Sequence, residues 1–260
     1  MIAFLYFSKG PGIPMPPDHQ GRQDHQSFSR PQDATCPAPG ADTIVLVHGL
    51  WMGSWVMSAM GMRLRRCGFH TAFFSYPSMS SSLSRNALIL SRFVAGLAAS
   101  RIHFVGHSLG GLLILQMLAE FPEPRVGRVI LAGSPYGACS VGTKLSRRGP
   151  GRHILGRSML QWLNQAGAMH TTPDHPYELG VIAGCRSLGA GRLIARLPEP
   201  NDGVVTVEET RIRNARDEIV LNVSHSQMLV SAEVARQVCS FLRQGHFLHD
   251  KEQEQRGLHL

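Results

Sequence analysis

Long apolar runs are missing from this 260-residue sequence, and none approaches the ~20 residues that a membrane-spanning helix needs. The first residues, MIAFLYFSKGPG, lack a basic segment, carry too short an apolar stretch for a secretory signal, and are not closely followed by a cleavage pattern. These absences predict a protein without membrane span or leader, located in the cytoplasm.

Cysteine is scarce, and no CxxC pair or zinc-type Cys/His spacing occurs. An odd, widely spaced set favours buried or incidental thiols in a reducing compartment over a disulfide framework. The dinucleotide and P-loop glycine patterns are absent as well. We therefore expect neither a metal nor a cofactor. The five cysteines are Cys36, Cys67, Cys139, Cys185 and Cys239.

Acidic residues are the minority, with 18 Asp and Glu against 26 Lys and Arg, for a formal net charge of +8. The basic residues are scattered, and their densest groups are short and lack interleaved aromatic residues. This pattern predicts a solvated basic surface and no nucleic-acid partner. The basic segment KLSRRGPGR (144–152) suggests at most a weak, accessory contact with a membrane surface.

The composition, with 43% hydrophobic residues, allows one sizeable core. Residues 9–40 are rich in Pro, Gln, Asp, His and Ser and show no apolar period, which predicts a disordered arm over residues 1–41. We expect a single domain over residues 42–245 and a flexible polar tail over residues 246–260.

Strand-like and helix-like segments alternate along that domain. The runs TIVLVH, TAFFSY, IHFV and VILA are typical of buried strands, and helical spacing separates them. Such alternation predicts an α/β fold with a mostly parallel sheet and helices on both faces. The alternation stops at residues 135–176, which we interpret as a lid-like insertion over the carboxyl edge of the sheet.

The segment GHSLG (106–110) places a serine between two glycines, where the strand IHFV gives way to the helix LGGLLILQMLAE. A sharp turn there would present the hydroxyl of Ser108 at the carboxyl edge of the sheet. The N-terminus of the following helix favours developing negative charge. We interpret Ser108 as a nucleophile, and the alternative is a serine that only caps the helix.

A serine hydroxyl needs a base to take its proton. Of the 13 histidines, His225 follows the last predicted strand, EIVLNV, and precedes the final helix, so its loop returns to the edge where Ser108 lies. His107 adjoins Ser108, but its side chain should point away from the hydroxyl. We therefore expect His107 to be a packing residue, and expect structural roles for His48 and His103.

A third group must orient the base. Asp202 in PNDGVV follows the predicted strand ELGVIAG, and the chain order Ser, Asp, His suits it, although Asn-Asp-Gly is also a common turn. Asp174 in the insertion is the alternative. Asp217 opens the last strand and so lies at the wrong end of the sheet.

An oxyanion hole requires two backbone donors. The amide of Leu109, directly after the serine, is one candidate. The second should come from the loop after the first strand, VHGLWMGSW, where the amide of Leu50 is favoured. Trp51 and Trp55 could line an acyl pocket there, although packing is as common a role.

Together, LVHGLWMGSW, FVGHSLGG, GSPYGACS, PNDGVV and VSHSQM resemble the α/β-hydrolase superfamily, and more narrowly its bacterial lipase and esterase-like branch. The resemblance covers about Thr43 to Phe241. It implies a triad of Ser108, Asp202 and His225, an oxyanion hole from Leu50 and Leu109, and cleavage of a carboxylic ester through an acyl-enzyme. Secreted lipases of this kind carry a signal peptide and often calcium or a disulfide, none of which is evident in the sequence.

We therefore expect a serine hydrolase acting on a small ester or lipid-like substrate. The same fold hosts thioesterases and acyltransferases, so the triad does not fix the bond that is cleaved. A binding protein that only retains the fold is the alternative from another class.

Overall fold

The computed structural model describes residues 42–137, 139–147, 149–165, 176–188 and 197–249. The predicted N-terminal arm lies outside these ranges, as do residues 250–260 of the predicted tail and part of the insertion. In the ranges described, no helix is both long and apolar enough to cross a membrane.

Six parallel strands form the central sheet, in the order β2-β1-β3-β4-β5-β6. Every residue of β1 and β3 is buried, because helices cover both faces of the sheet and leave no solvated side. This arrangement confirms the predicted fold class. The strands are β1 (Thr43–Val47), β2 (His70–Phe74), β3 (Ile102–His107), β4 (Val126–Ala132), β5 (Glu178–Gly184) and β6 (Asp217–Leu221).

Alternate side chains of β1 enter opposite cores, as the two-residue period of a strand requires. Ile44 and Leu46 pack with α1 and α7, whereas Val45 and Val47 pack with α2 and α3. Short 3-10 helices span Ser54–Met57 and Gln227–Leu229. The α-helices are α1 (Ser58–Arg66), α2 (Leu83–Ala95), α3 (Leu109–Glu120), α4 (Ser140–Ser146), α5 (Gly151–Gln165), α6 (Val207–Thr210) and α7 (Ala232–Gln244).

The strand order reverses direction between β1 and β3. From β1 the chain moves outward to β2 on one side, and from β3 it moves through β4, β5 and β6 on the other. The loops after β1 and β3 therefore diverge and leave a crevice at the carboxyl edge of the sheet, where ligands of open α/β sheets bind. Ser108 directly follows β3 at this crevice.

The insertion between β4 and β5 contains α4 and α5, and α5 is anchored to the body of the domain. The Ser158 hydroxyl donates to the carbonyl oxygen of Ser81 at 2.8 Å and accepts from Asn86 Nδ2 at 2.9 Å. The Trp162 side chain is fully buried. These contacts hold α5 as a fixed cover over that edge of the sheet.

The packed part of the chain continues past the predicted domain end at residue 245. Phe247 and Leu248 were assigned to the flexible tail, yet both are buried. The Phe247 amide donates to Asp217 Oδ2 at 2.7 Å, and the Leu248 amide to Gln237 Oε1 at 2.8 Å. Two apolar residues among polar neighbours form no period, so the sequence pattern did not reveal this packing.

The expectation of five unpaired thiols is wrong, because Cys67 and Cys239 form a disulfide. Cys67 ends α1 and Cys239 lies in α7, and both helices pack on the same face of the sheet. The pair is separated by 172 residues, so cysteine spacing could not indicate it. Because disulfides persist mainly in oxidising compartments, the cytoplasmic prediction loses one of its premises.

Replacing Cys67 and Cys239 together by serine should lower the free energy of unfolding by about 2–5 kcal/mol, because the cross-link restricts the unfolded chain. Denaturant titration of the oxidised protein measures the change. The variant Cys185→Ser, which removes a thiol that is free in the structure, should unfold like the parent protein. Recovery of alkylated Cys67 and Cys239 peptides without prior reduction would contradict the disulfide.

Candidate active site

The turn at Ser108 is the tightest part of the crevice. Ser108 has φ 53° and ψ −124°, a backbone conformation that costs a non-glycine residue about 1–3 kcal/mol. A Cβ atom added at Gly110 would lie 2.4 Å from the carbonyl oxygens of Val47 and His48, and one at Gly106 would lie 2.5 Å from the Gly111 backbone. Only glycine fits at these two flanking positions, which explains the GxSxG pattern.

The hydroxyl of Ser108 does not cap the helix that follows it. Although Ser108 occupies the N-cap position of α3, its side chain makes no capping hydrogen bond. Its amide donates to the carbonyl oxygen of Ala132 at 2.9 Å, which fixes the turn against β4. Ser108 and His225 line the same cavity. This geometry leaves the oxygen available for chemistry and weakens the alternative of a capping serine.

His225 and Asp202 form a buried hydrogen-bonded pair. His225 Nδ1 lies 2.7 Å from Asp202 Oδ2, and the exposed fractions of the two residues are 7% and 1%. Since an ionised carboxylate only accepts hydrogen bonds, the proton of the neutral ring belongs on Nδ1. Nε2 of His225 is then left as an acceptor, the state that a general base requires.

The loop that carries Asp202 is shaped to hold the carboxylate still. Asp202 Oδ1 accepts from the amides of Val204 and Val205 at 2.9 and 2.7 Å, which leaves Oδ2 for His225. Asn201 Oδ1 accepts from the Gly203 amide at 2.9 Å, and Gly203 has φ 93°. The Asn-Asp-Gly turn is therefore real, but it orients the carboxylate as well as reversing the chain.

His107 is a contributor that the sequence analysis did not predict. Its Nε2 lies 3.0 Å from the carbonyl oxygen of His225, and the two rings are 4.7 Å apart at their centroids. Burial, followed by the nearby His225, lowers the pKa of His107 to about 3, so its ring is neutral. A neutral ring that donates from Nε2 anchors the backbone of His225 without adding a charge. No sequence pattern signals a contact across 118 positions.

The loop after β1 passes directly beside Ser108. A Cβ atom at Gly49 would lie 3.1 Å from the Ser108 Cβ, and Leu50 is the next residue along this loop. Tyr76 holds this loop, because its hydroxyl donates to the carbonyl oxygen of His48 at 3.0 Å and its ring stacks on that of His48 at 4.5 Å. Leu50 and Leu109, the two predicted donors, line the same cavity as Ser108.

His48 itself is structural, as expected. Its Nδ1 donates to the Gly49 carbonyl oxygen at 2.8 Å, and its Nε2 accepts from the Tyr76 amide at 3.3 Å. Burial lowers the pKa of His48, which favours the neutral ring that can make both contacts. His103 accepts from the Arg128 amide at 2.9 Å and lies away from the cavity, which agrees with its expected structural role.

Trp51 links the loop after β1 to the insertion. Its φ of 62° is unusual for a large residue, its amide donates to Ser78 Oγ at 3.3 Å, and its indole Nε1 donates to the Ile154 carbonyl oxygen at 2.6 Å. Trp51 lines the cavity, whereas Trp55 does not and is 77% exposed. The suggested acyl-pocket role therefore fits Trp51 alone.

The cavity that opens beside Ser108 has a volume of about 280 Å³. Its described lining contains no Asp, Glu, Lys or Arg side chain. Its apolar wall comes largely from α4, α5 and the loop after β1, and includes Leu50, Met52, Val141, Leu145, Leu155 and Met159. Such a cavity suits an apolar, uncharged group.

Asp217, one of the two other candidate acids, is not at this site. Asp217 lies at the start of β6, where it accepts hydrogen bonds from the Phe247 amide and pairs with His249 at 3.0 Å. That position is the opposite end of the sheet from Ser108, as predicted. Asp174 lies outside the described residues. In the ranges that the structure covers, no cluster of His, Cys, Asp and Glu could hold a metal ion.

A family profile described as "Alpha/beta hydrolase family" matches residues 44–255. This chain belongs to the α/β-hydrolase family. The match confirms the resemblance read from the sequence motifs, and it includes both strands that flank the crevice as well as the loops of Asp202 and His225.

Among curated proteins, this α/β-hydrolase is similar to the 2-hydroxy-6-oxononadienedioate/2-hydroxy-6-oxononatrienedioate hydrolase of Escherichia coli K12. The two are 31% identical over 122 residues. The similarity covers 42% of this chain and 42% of the E. coli enzyme, so the match spans less than half of that relative.

Solved structures of esterases and lipases share the fold of this α/β-hydrolase. The mature lipase BlEst2 of Bacillus licheniformis has a TM-score of 0.61 at 20% identity, covering 80% of this chain and 94% of that one. A thermophilic esterase of Thermogutta terrifontis has a TM-score of 0.57 at 15% identity, covering 78% and 90%. At these identities the likeness concerns the fold alone.

The short bond between His225 and Asp202 predicts a strongly deshielded Nδ1 proton in the proton NMR spectrum of this α/β-hydrolase. Asp202→Asn should remove the resonance, because the amide can keep its oxygen on the Val204 and Val205 amides but then offers His225 an N–H donor. The matched variant Asp217→Asn alters the exposed pair with His249 and should leave the resonance in place. Its persistence in Asp202→Asn would show that the pair does not form.

Proposed function

We propose that this α/β-hydrolase is a serine hydrolase that cleaves carboxylic esters through an acyl-enzyme. Ser108 is the nucleophile, His225 the general base and Asp202 the group that orients the base. The amides of Leu50 and Leu109 form the oxyanion hole. The observation that carries this proposal is the buried 2.7 Å pair of His225 and Asp202, which lies at the same cavity as the strained, uncapped Ser108.

The proposed reaction begins when the Ser108 oxygen attacks the ester carbonyl carbon and its proton passes to Nε2 of His225. The carbonyl oxygen becomes an oxyanion, which the two backbone amides stabilise. Each such donor contributes roughly a hundred- to a thousandfold in turnover. As the tetrahedral intermediate collapses, His225 returns the proton to the leaving alcohol, and the acyl group remains on Ser108.

In the second half, His225 takes a proton from a water molecule that attacks the acyl carbon. The acid is released when the proton returns to the Ser108 oxygen. Asp202 stays ionised throughout and stabilises the imidazolium of His225 in each half. His107 supports this cycle because its neutral ring holds the His225 backbone without repelling the charged imidazolium.

The cavity favours an ester with apolar groups. Its lining carries no described charged side chain, so a carboxylate on the substrate would be buried without a partner at a high free-energy cost. The E. coli relative, by its name, acts on a dioate, which has two carboxylates. We therefore propose an uncharged ester for this protein, with the apolar group held between the loop after β1 and helices α4 and α5.

Ser108→Ala should abolish both hydrolysis of p-nitrophenyl esters and covalent labelling by a fluorophosphonate probe, because both require the serine oxygen. The control Ser80→Ala changes an exposed serine and should retain both activities. Hydrolysis that survives in Ser108→Ala would overturn the proposal. Labelling without net hydrolysis, but with a product that grows with added alcohol, would instead indicate an acyltransferase.

His107→Phe and His107→Gln separate a donor role from a packing role. Loss of the hydrogen bond to the His225 carbonyl should lower kcat about fivefold in His107→Phe with little change in KM, because a single hydrogen bond of this kind is worth about 1 kcal/mol. The Gln side chain keeps an N–H donor and should recover much of kcat. If the His107→Phe variant proves more active than His107→Gln, the His107 ring acts only through packing and its hydrogen bond does not contribute to turnover.

A further inference from the structure

Exposed apolar side chains are concentrated at the mouth of the cavity. Of eight large apolar residues that are exposed among those described, three lie at this opening and a fourth, Trp55, follows its Trp51 loop in the chain. Trp51 and Leu188 line the cavity itself, and the indole of Trp51 is bonded to the Ile154 carbonyl. Trp55 stands in the short helix that follows this loop. The exposed fraction is 59% for Trp51, 49% for Leu188, 44% for Ile154 and 77% for Trp55.

The charge of residues 135–165, the part of the insertion that contains α4 and α5, has one sign. Residues 135–165 contain five basic residues and no Asp or Glu. Arg147, Arg152 and Arg157 are exposed, and among the residues in view none of the three forms an ion pair. Helix α5 therefore carries Ile154 of the apolar rim together with Arg152 and Arg157, which have no ion-pair partner among the described residues.

Two described carboxylates on α6, near the start of α4, are already engaged. Glu209 is buried and accepts hydrogen bonds from the Ser140 and Thr206 amides at 2.6 and 2.9 Å. Glu208 pairs with Arg211 at 3.3 Å. Neither of these two carboxylates is paired with Arg147, Arg152 or Arg157.

This surface is also preformed. The Arg157 amide donates to the Met79 carbonyl oxygen at 2.9 Å, and Gln161 Oε1 accepts from the Ser84 amide at 3.2 Å, so α5 is tied to the segment before α2. Trp51 fixes the other side of the rim through its bond to Ile154. A ligand could use the rim without first opening the insertion.

We propose that this mouth face, formed by Trp51, Trp55, Ile154 and Leu188 with Arg147, Arg152 and Arg157, docks on an anionic lipid surface. Tryptophan favours the boundary between water and acyl chains, and arginine is attracted by acidic headgroups. The occupant is a lipid surface and not a nucleic acid, because the apolar side chains outnumber the arginines at the opening itself.

Docking would place the cavity mouth against the acyl region, so that an ester could enter without crossing water. This consequence rests on the proposed ester hydrolysis, but the docking itself does not. The lipid surface would supply the apolar substrate, and the cavity beside Ser108 would receive it.

The test uses the full chain carrying Ser108→Ala, so that no lipid is consumed. Sedimentation with phosphatidylcholine vesicles, with or without phosphatidylglycerol, measures binding. We expect binding only to the vesicles that contain phosphatidylglycerol, and weaker binding as salt rises. Lipids brominated on the acyl chain should quench emission from Trp51 and Trp55 but not from the buried Trp162. Equal binding to both vesicle types would overturn the proposal.

Substitutions of the arginines and of Trp55 test whether the mouth face is the surface that binds the vesicles. Arg147→Gln, Arg152→Gln and Arg157→Gln together should weaken vesicle binding on the order of a hundredfold. Trp55→Ser should reduce both binding and quenching. The control triple of Arg66→Gln, Arg85→Gln and Arg92→Gln removes the same charge from exposed sites in α1 and α2 and should bind like the parent. Equal weakening by both triples would mean that net charge alone attracts the protein, which contradicts a docking face.

The two proposals fail separately. If wild-type protein hydrolyses no ester but the Ser108→Ala chain still binds anionic vesicles through the mouth face, the proposed chemistry is wrong and the docking stands. If esters are hydrolysed in solution and vesicles bind neither form, the docking is wrong.

Discussion

The active edge depends on the close packing of the Ser108 turn against the loop after β1. Gly110 lies against the carbonyl oxygens of Val47 and His48, and Gly49 lies against the Ser108 side chain. These approaches leave no space for a Cβ atom at Gly110, so the strained backbone at Ser108 is held in place by its neighbours. Leu50, whose amide we propose as an oxyanion donor, is the next residue in that loop and lines the same cavity as Ser108. One steric constraint thus fixes both the turn of the proposed nucleophile and the loop that carries the proposed donor.

Two buried histidines at this edge of the sheet are neutral. His48 and His107 are both buried, and burial lowers the pKa of each, so neither adds a positive charge near His225. Within the part of the chain that the structure describes, the carboxylate bonded to His225 is that of Asp202, whose other oxygen is held by backbone amides. In the proposed mechanism the positive charge therefore forms on the His225 ring. The apolar cavity beside it keeps that charge in a low-dielectric setting.

Local sequence patterns predicted much of the fold and of the candidate site. The turn at Ser108 could be predicted because its steric demands fall on residues within five positions of one another. His225 and Asp202 could be proposed because chain order and sheet topology place loops at the same edge, and the structure brings the two side chains together. The parallel sheet followed from alternation of apolar runs, which is also a local property.

Contacts between distant segments could not be predicted in the same way. The disulfide, the bond from His107 to the His225 carbonyl and the bond from Trp51 to Ile154 each join residues far apart in the chain. None has a local signature, because each depends on how helices and loops settle on the sheet. Phe247 shows the same limit on a smaller scale, since its burial depends on α7 and β6 and not on its polar neighbours.

The bridge between Cys67 and Cys239 joins the end of α1 to α7. Helix α1 comes after the loop that follows β1, and α7 comes after the loop that carries His225. A protease that cuts any surface loop between these two cysteines would produce two fragments that remain covalently attached. Such a nicked molecule would migrate as one species without reductant and as two with it. The halves of the site would also stay within reach of each other, since Leu50 and His225 belong to the segments that the bridge connects.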